Sequence, residues 1–452
     1  MQKVLVANRG EIACRIIRSC RQLGLKTVAV YSEADAKALH VSEADEACPI
    51  GPAPAKQSYL VMENLLAAAR ATGADAVHPG YGFLAESSAF ARAVAGAGLT
   101  WIGPTAESID DMGDKERARL LAKAAAMPIL PGSGRFGPGD LEGLDEAARA
   151  VGYPLLVKAS AGGGGIGMRR VDRPEELKAV VEATQTLAAR AFGDGTVYLE
   201  RLIEKARHIE IQIFGHGDGR AIHMFERECS IQRRFQKVVE ESRAPNLPAD
   251  TLKRMADAAV ALVCQERYRG AGTIEFVLDA ATNEFFFLEM NTRIQVEHPV
   301  TEMITGLDLV GLQIRLARGE HLGELRQDAI HASGHAMELR IYAEDPAKNF
   351  LPSPGPLARF RLPPEDDSLR VDRGVKEGDQ ITFHYDPMIA KMIGRGTTRN
   401  ASIARLEAAL AAVEIEGVRT NIPFLRRLLA HPQFRDGDCF TTFVQAHAAS
   451  LL

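Results

Sequence analysis

The first hundred residues repeat one pattern, and it restricts the fold more than any other feature of the chain. Lys3–Ala7 is a short apolar run, Asn8-Arg9-Gly10-Glu11 carries turn chemistry, and Ile12, Ile16, Ile17, Cys20 and Leu23 then recur at helical spacing. Gly24 stops that helix, and Thr27–Tyr31 is a second strand-like run. A strand, a helix and a strand in this order cross over right-handed, which makes their sheet parallel. The alternation continues through a helix over Leu60–Thr72, a strand at Ala76–His78, a helix over Ser88–Ala97 and a strand at Thr100–Gly103. Residues 1–110 are therefore expected to form a doubly wound α/β domain.

Beyond residue 110 the organisation changes. Helix-forming residues between Ala106 and Ala126 predict a helical connector over 111–130. Glycines and prolines from Pro131 to Gly139 then punctuate the entry to a small unit over 131–203. It has strands at Leu155–Lys158 and Thr196–Leu199, a glycine loop, and a helix around Glu175–Ala189. A small α+β unit carrying a glycine hairpin is a natural lid. The remainder, 204–452, reads as a larger α+β body with helices over Ala401–Val413 and Asn421–Leu429.

A chain of 452 residues is long enough for two or three such domains. Its net charge of −5 argues against a general nucleic-acid binder and leaves small-molecule chemistry open. Six cysteines without a C-x-x-C pair suggest neither a zinc site nor a disulfide framework, so a reduced, cytoplasmic setting is expected. No apolar run is long enough to span a bilayer. With a strand starting directly at Lys3, no signal or transit peptide is expected.

Chemistry is concentrated in four places. In Glu289–His298 the polar residues Glu289, Asn291, Arg293, Gln295 and Glu297 fall at every second position, so an extended segment would carry them all on one face. A straight segment would spread them over roughly 26 Å at about 3.3 Å per residue, too far to meet on one small anion. The chain is therefore expected to leave the strand near Asn291 and curl back. In Lys158–Met168 a run of glycines lets backbone N–H groups approach phosphate, with Lys158 entering from the preceding strand. The formal G-x-G-x-x-G match of Gly162, Gly164 and Gly167 needs a helix to follow, whereas Met168–Val171 reads as a strand.

Glu275 and Glu289 lie on two strand-like runs, Thr273–Leu278 and Phe285–Glu289, joined by turn residues Asp279–Glu284. Each is seven residues from Thr282, so a symmetric hairpin would set them opposite each other, about 5 Å apart at Cβ. Two carboxylates that close repel unless a proton or cation lies between them, and hard oxygen ligands suit Mg²⁺. The fourth place, Glu226–Lys237, crowds charges and glutamines beside strand-like runs at Ile209–Phe214 and Ala221–Phe225. It is open to a plain reading as a solvated loop.

Together these residues resemble the biotin carboxylases of the ATP-grasp superfamily. The resemblance also takes in Ala7–Ala13, His78–Leu84, Met112–Lys115, Gln232–Arg234, His298–Glu302, Glu338–Arg340 and Phe350–Gly355, in the same order over nearly the whole chain. It implies ATP- and bicarbonate-dependent carboxylation of biotin on a carrier protein, through carboxyphosphate, as the first half-reaction of an acyl-CoA carboxylase of the acetyl-CoA type. The resemblance implies roles residue by residue. Lys115, Lys158, Gly163, Gly164, Gly165 and Met168 would enclose the ATP phosphates; Glu200, Arg201, Ile203, His208 and Gln232 would contact the nucleotide. Glu275, Glu289 and Asn291 would hold Mg²⁺ or Mn²⁺. Arg293, Gln295 and the N–H of Val296 would clamp bicarbonate, with Glu297 the base for its proton and Lys237 on carboxyphosphate. Arg340 would stabilise the deprotonated ureido oxygen of biotin, with Tyr81 near that ring.

Two positions depart from the family pattern. Phe235 stands where a histidine is usual near the phosphates, and Ile166 replaces a basic residue after the glycines. Both remove polar contacts to ATP. They keep two alternatives in view, another ATP-grasp ligase that makes an acyl phosphate and a non-catalytic nucleotide-binding subunit. There is no Met-Lys-Met attachment segment, and Ile389-Ala390-Lys391-Met392 falls inside the carboxylase body. The biotin carrier and carboxyltransferase are accordingly expected on other chains or missing domains, and the resemblance implies a homodimer.

Overall fold

The computed structural model describes residues 1–160, 167–233 and 236–452. They form two compact units, one of Met1–Met127, Arg207–Val277 and Glu289–Leu452, the other of Pro128–Ala206 and Leu278–Leu288. The expected lid over 131–203 falls within the second unit, which also takes the tip of the hairpin Arg269–Asp279/Phe285–Asn291. The second unit begins at Pro128, close to the expected start at 131, while the stretch up to Met127 shares the first unit with the body. Val4, Ile12 and Ile16 from the N-terminal stretch pack in the same cluster as Phe214, Ala271 and Leu309 of the body.

Within the first unit the N-terminal sheet is five-stranded and parallel, in the order Glu46–Pro49, Lys26–Tyr31, Lys3–Val6, Ala76–His78, Thr100–Trp101. The edge strand Glu46–Pro49 has no counterpart in the sequence pattern. Its residues are mostly exposed and carry no apolar alternation, so only pairing with Lys26–Tyr31 defines it. The Gly10–Gln22 helix buries Ile12, Ile16, Ile17 and Cys20 at the spacing read from the sequence. The expected connector is two helices, Ala106–Gly113 and Lys115–Ala124, broken at Asp114. Asp114 caps the second helix by accepting from the Arg117 N–H, which puts Lys115 at that helix's first position.

The body is built on an eight-stranded sheet. Its order is Phe285–Asn291, Arg269–Asp279, Ala206–His216, Ala221–Arg233, Gln236–Ser242, His335–Tyr342, Met388–Gly396, Leu369–Arg373. The strand Ala221–Arg233 runs straight through the charged stretch, and Glu226, Arg227, Glu228 and Gln232 are buried. The solvated-loop reading is thereby excluded for the described part of that stretch. The C-terminal helices Arg399–Ala411 and Ile422–Ala430 cover a core that includes Met337, Leu339, Met392, Leu406 and Leu428.

The second unit has a four-stranded sheet in the order Gly132–Phe136, Val197–Arg201, Leu155–Ala159, Met168–Val171. Helices Leu144–Val151 and Leu177–Phe192 pack on it around Val157, Val171, Leu177, Val181 and Leu199. Leu155–Ala159 and Met168–Val171 form an antiparallel hairpin with Lys158 opposite Met168, so a strand, not a helix, follows the glycines. Among the described residues no helix is long and apolar enough to cross a membrane.

Candidate active site

Lys237 is the centre of the site. It lies near the start of the strand Gln236–Ser242, and its side chain is only 12% exposed. Its amine donates to Glu297 Oε1 at 2.6 Å, Glu210 Oε2 at 2.7 Å and Glu275 Oε1 at 2.8 Å. Burial alone would drive the amine neutral, yet Glu210, Glu275 and Glu297 outweigh it and raise its pKa well above the ordinary lysine value. The ammonium therefore stays charged. Glu297 shows the mirror image: burial pushes its pKa up, but Lys237, Arg340 and Arg227 hold it well below the ordinary carboxylate value. It is ionised at neutral pH and able to accept a proton.

Arg340, on the strand His335–Tyr342, binds Glu297 Oε2 at 2.9 Å and makes a second, very short ion pair with Glu240. Arg340, Val296 and Tyr81 line one cavity of about 540 Å³. The Tyr81 hydroxyl donates to Glu11, which lines the same cavity. Three expected substrate-side residues are thus brought together within one compact unit.

The row that begins at Glu289 behaves as its length demands. The strand ends at Asn291 and a helix starts at His298, so residues 292–297 leave the ladder and turn. Through that turn Gln295 donates to Glu275 Oε1 at 2.8 Å and Asn291 to the same oxygen at 3.0 Å. Arg293 donates to Asn291 Oδ1 at 2.9 Å and to Glu86 Oε2 at 2.8 Å. Glu275 and Glu289 sit on neighbouring strands. Burial and then the charge of Glu275 raise the Glu289 pKa, against the opposing charges of Lys115, Lys237 and His208. The oxygens of Glu275, Glu289 and Asn291 are hard donors and fit Mg²⁺ or Mn²⁺.

His208 and Gln232 also lie at this centre. His208 Nε2 is 2.8 Å from Glu275 Oε2, and Gln232 Nε2 is 2.7 Å from His208 Nδ1. Burial disfavours the imidazolium, but Glu275 more than compensates and raises its pKa. Lys115 adds a charge that acts on Glu289.

In the second unit, Lys158 pairs with Glu200 Oε1 at 2.5 Å and its amine lies 5.9 Å from the Tyr198 ring centre. Arg201 lies 3.7 Å from Glu284, Ile203 is buried, and Met168 is partly exposed at the hairpin. The expected nucleotide contacts are therefore divided between the units: Lys158, Met168, Glu200, Arg201 and Ile203 in one, Lys115, His208 and Gln232 in the other. Gly163, Gly164, Gly165, Ile166 and Phe235 lie outside the described residues.

Sequence reasoning passes over Glu210, Arg227, Glu240 and Glu86. Arg227 is fully buried and donates to Glu210, Gln212, Thr273, Thr301 and, at 2.8 Å, to Gln295 Oε1, which orients that amide. Glu210 and Gln212 carry a usable signal: they are the polar alternates in the run Ile209–Ile213 of the strand Ala206–His216. Glu86 gives no local signal.

Residues 1–109 match the family described as the biotin carboxylase N-terminal domain, and residues 338–446 match its C-terminal domain. Residues 114–325 match the ATP-binding domain of the carbamoyl-phosphate synthase L chain. The chain is 49% identical over 452 residues to a mitochondrial methylcrotonoyl-CoA carboxylase subunit alpha of Oryza sativa subsp. japonica, with 100% of this chain and 61% of that one covered. It thus spans about three-fifths of that relative's length. It is 49% identical over 450 residues to biotin carboxylase 1 of Bacillus subtilis (strain 168), covering 99% of each. Among solved structures, the biotin carboxylase domain dimer of Hydrogenobacter thermophilus 2-oxoglutarate carboxylase, in complex with MgADP, ADP and bicarbonate, superposes with a TM-score of 0.89. That match is at 44% identity and covers 100% of this chain and 98% of that one. The chain belongs to the biotin carboxylase family of ATP-grasp ligases.

Proposed function

We propose that the protein carboxylates biotin on a carrier protein, using ATP and bicarbonate, with Lys237, Arg293, Glu297 and Arg340 carrying the chemistry. One observation supports this above the others: Glu297 bridges Lys237 and Arg340, at 2.6 and 2.9 Å, beside the cavity that Tyr81 and Val296 line. Glu297 removes the proton of bicarbonate, whose oxygen attacks the γ-phosphorus of ATP; the bond to the β,γ-bridging oxygen breaks, giving carboxyphosphate and ADP. An anion that takes over Lys237 withdraws positive charge from Glu297, which raises the basicity of that carboxylate when it is needed. Arg293, Gln295 and the N–H of Val296 hold the bicarbonate, since a guanidinium fork matches paired oxygens. Carboxyphosphate, held by Lys237, breaks down to CO₂ and phosphate. The released phosphate takes the proton of biotin N1, which captures the CO₂ while Arg340 stabilises charge on the ureido oxygen. Lys115, Lys158, Met168 and the glycines Gly163–Gly165 bind the phosphates; Glu200, Arg201, Ile203, His208 and Gln232 bind the adenosine. A divalent cation on Glu275 and Glu289, beside Asn291, would neutralise phosphate oxygens.

The functional division we infer is 1–110, 111–130, 131–203 and 204–452, with 131–203 closing over the nucleotide. The carrier and the carboxyltransferase belong to other chains or to missing domains, and the transferase sets the final acceptor. Relatives are named for methylcrotonoyl-CoA and 2-oxoglutarate, so an acetyl-CoA enzyme of fatty acid biosynthesis is one reading among several. Assembly as a homodimer is inferred from the solved relative described as a dimer. Six unpaired cysteines fit a reducing, cytoplasmic setting.

The test is ATP cleavage with and without bicarbonate and free biotin. Bicarbonate-dependent cleavage that yields carboxybiotin is expected. Cleavage that ignores bicarbonate and answers to another carboxylate or amine would assign the chain to another ATP-grasp reaction. Binding of Mg-ATP with no turnover at saturating biotin would make it a nucleotide-binding subunit.

A further inference from the structure

Lys391 belongs to the stretch Ile389–Met392 that carries no carrier-attachment role, and the carboxylation chemistry does not use it. It lies on the strand Met388–Gly396 with a side chain that is 0% exposed. A buried ammonium must be fully compensated. Its amine donates to the Val296 carbonyl at 2.6 Å and pairs with Glu11 Oε1 at 3.2 Å, with Asp372 Oδ2 farther off at 3.9 Å. The same Glu11 oxygen accepts the Tyr81 hydroxyl. A single buried line therefore runs Tyr81–Glu11–Lys391–Val296, and its two ends line one cavity. Val296 sits in the irregular stretch between the strand end at Asn291 and the helix start at His298, where no ladder holds the backbone. Lys391 supplies the hydrogen bond that a neighbouring strand would otherwise give. Burial would strip its proton, but Glu11, Glu338 and Asp372 outweigh burial and keep the amine charged.

We propose that Lys391 is a positioning residue that locks the Val296 peptide for bicarbonate, and that Glu11 ties this lock to Tyr81 on the biotin side. The two substrate seats are then mechanically linked: occupancy at Tyr81 changes the hold on Val296. The inference rests on the proposed binding of bicarbonate and biotin at this site.

The experiment measures bicarbonate-dependent ATP cleavage in the full chain. Wild type without any bicarbonate dependence removes the functional reading itself, and this inference with it. The variant Lys391→Met/Glu11→Gln takes out one positive and one negative buried charge together, so the net buried charge is unchanged. With melting close to wild type, its KM for bicarbonate is expected to rise about tenfold while its KM for ATP stays within about twofold. A purely structural salt bridge predicts no such split, and an unchanged bicarbonate KM in the folded variant, with wild type active, overturns the inference alone. The single variant Glu11→Gln tests the link if the double variant does not fold. In wild type, free biotin should shift the bicarbonate KM, and in Glu11→Gln it should not. A shift of equal size in both, or in neither, defeats the coupling.

Discussion

Two buried ion clusters in the same compact unit make a useful pair. Around Arg15, Nη2 binds Glu302 at 2.8 Å and Asp308 at 2.6 Å, while Arg370 binds Glu302 and Asp372 at 2.6 Å each, and Arg18 reaches Asp372 at 2.7 Å. Lys391 adds a further cation 3.9 Å from Asp372, so each carboxylate there has a cationic partner, and Glu302 and Asp372 have their pKa values lowered despite burial. Around Lys237 the balance differs: Lys237, Arg227 and Arg340, with His208 on Glu275, face Glu210, Glu240, Glu275 and Glu297. Glu289 next to them adds another carboxylate. Burial pushes Glu240 up to about 7 and raises Glu289, and the charges of Glu297 and Glu275 respectively add to it. A balanced cluster holds elements together and asks for nothing more. A cluster with surplus negative charge and a cavity beside it is prepared for a cation and a proton.

The sharpest way to break this contrast is Arg340→Ala. It should lower carboxylation of free biotin by about 10³-fold, on the order of 4 kcal/mol, as expected for a pre-organised charge at the reacting oxygen. Folding should largely survive, because Glu240 can take up a proton and Glu297 keeps Lys237. Less than a tenfold loss would show that Arg340, like Arg15, is structural. The converse variant is Arg15→Met. Leaving Glu302 and Asp308 short of a partner should cost about 3 kcal/mol in urea unfolding. Turnover per folded molecule should stay within about twofold; a large kinetic defect without lost stability would erase the distinction.

A smaller effect is expected from Glu297→Gln. Removing the base while keeping a hydrogen-bonding amide should reduce bicarbonate-dependent ATP cleavage about 100-fold, or roughly 2.7 kcal/mol. Near-native cleavage would move the proton acceptor elsewhere in the cluster, with Glu240 the next to test.

Legibility in the sequence differs by region for physical reasons. Apolar spacing exposes the parallel N-terminal sheet because each strand and helix there buries one simple face. The break in the Glu289 row can be argued from reach alone. The buried strand through Glu226–Arg233 cannot, since charge in a sequence is ordinarily a mark of solvent and only tertiary partners reverse it. Arg227 is satisfied by residues as far along the chain as Gln295 and Thr301, and no local pattern announces that. Lys391 escapes notice for the same reason: its partners are Glu11 and Val296, 380 and 95 positions away. The first compact unit is discontinuous in the sequence because one core joins distant stretches. The glycine loop remains known from its sequence and from the hairpin that closes it.

The smallest effect concerns Glu240 and pH. Its pKa stands at about 7 against an ordinary 4.5; burial is the main cause, Arg340 opposes it and Glu297 adds to it. Lys237 also faces it, and Glu338 lies opposite on the neighbouring strand. A carboxyl with a raised folded-state pKa binds its proton more tightly folded than unfolded. Its contribution to stability is therefore complete below about 4.5 and is lost as pH rises toward 7. Other groups pull the opposite way. His40 and His78, lowered to about 4 and about 3 by burial, favour the folded state increasingly as pH rises toward 6.5. Total stability mixes these signs, so the informative quantity is the difference between wild type and Glu240→Gln, which removes one titration and keeps the others. Urea unfolding at pH 5, 6.5 and 8 should show the advantage of wild type over the variant shrinking with pH by on the order of 1 kcal/mol. An advantage that grows instead would mean that Glu240 is ionised and fully paired, like the carboxylates around Arg15, and the surplus that separates the two clusters would then reside on Glu289 alone.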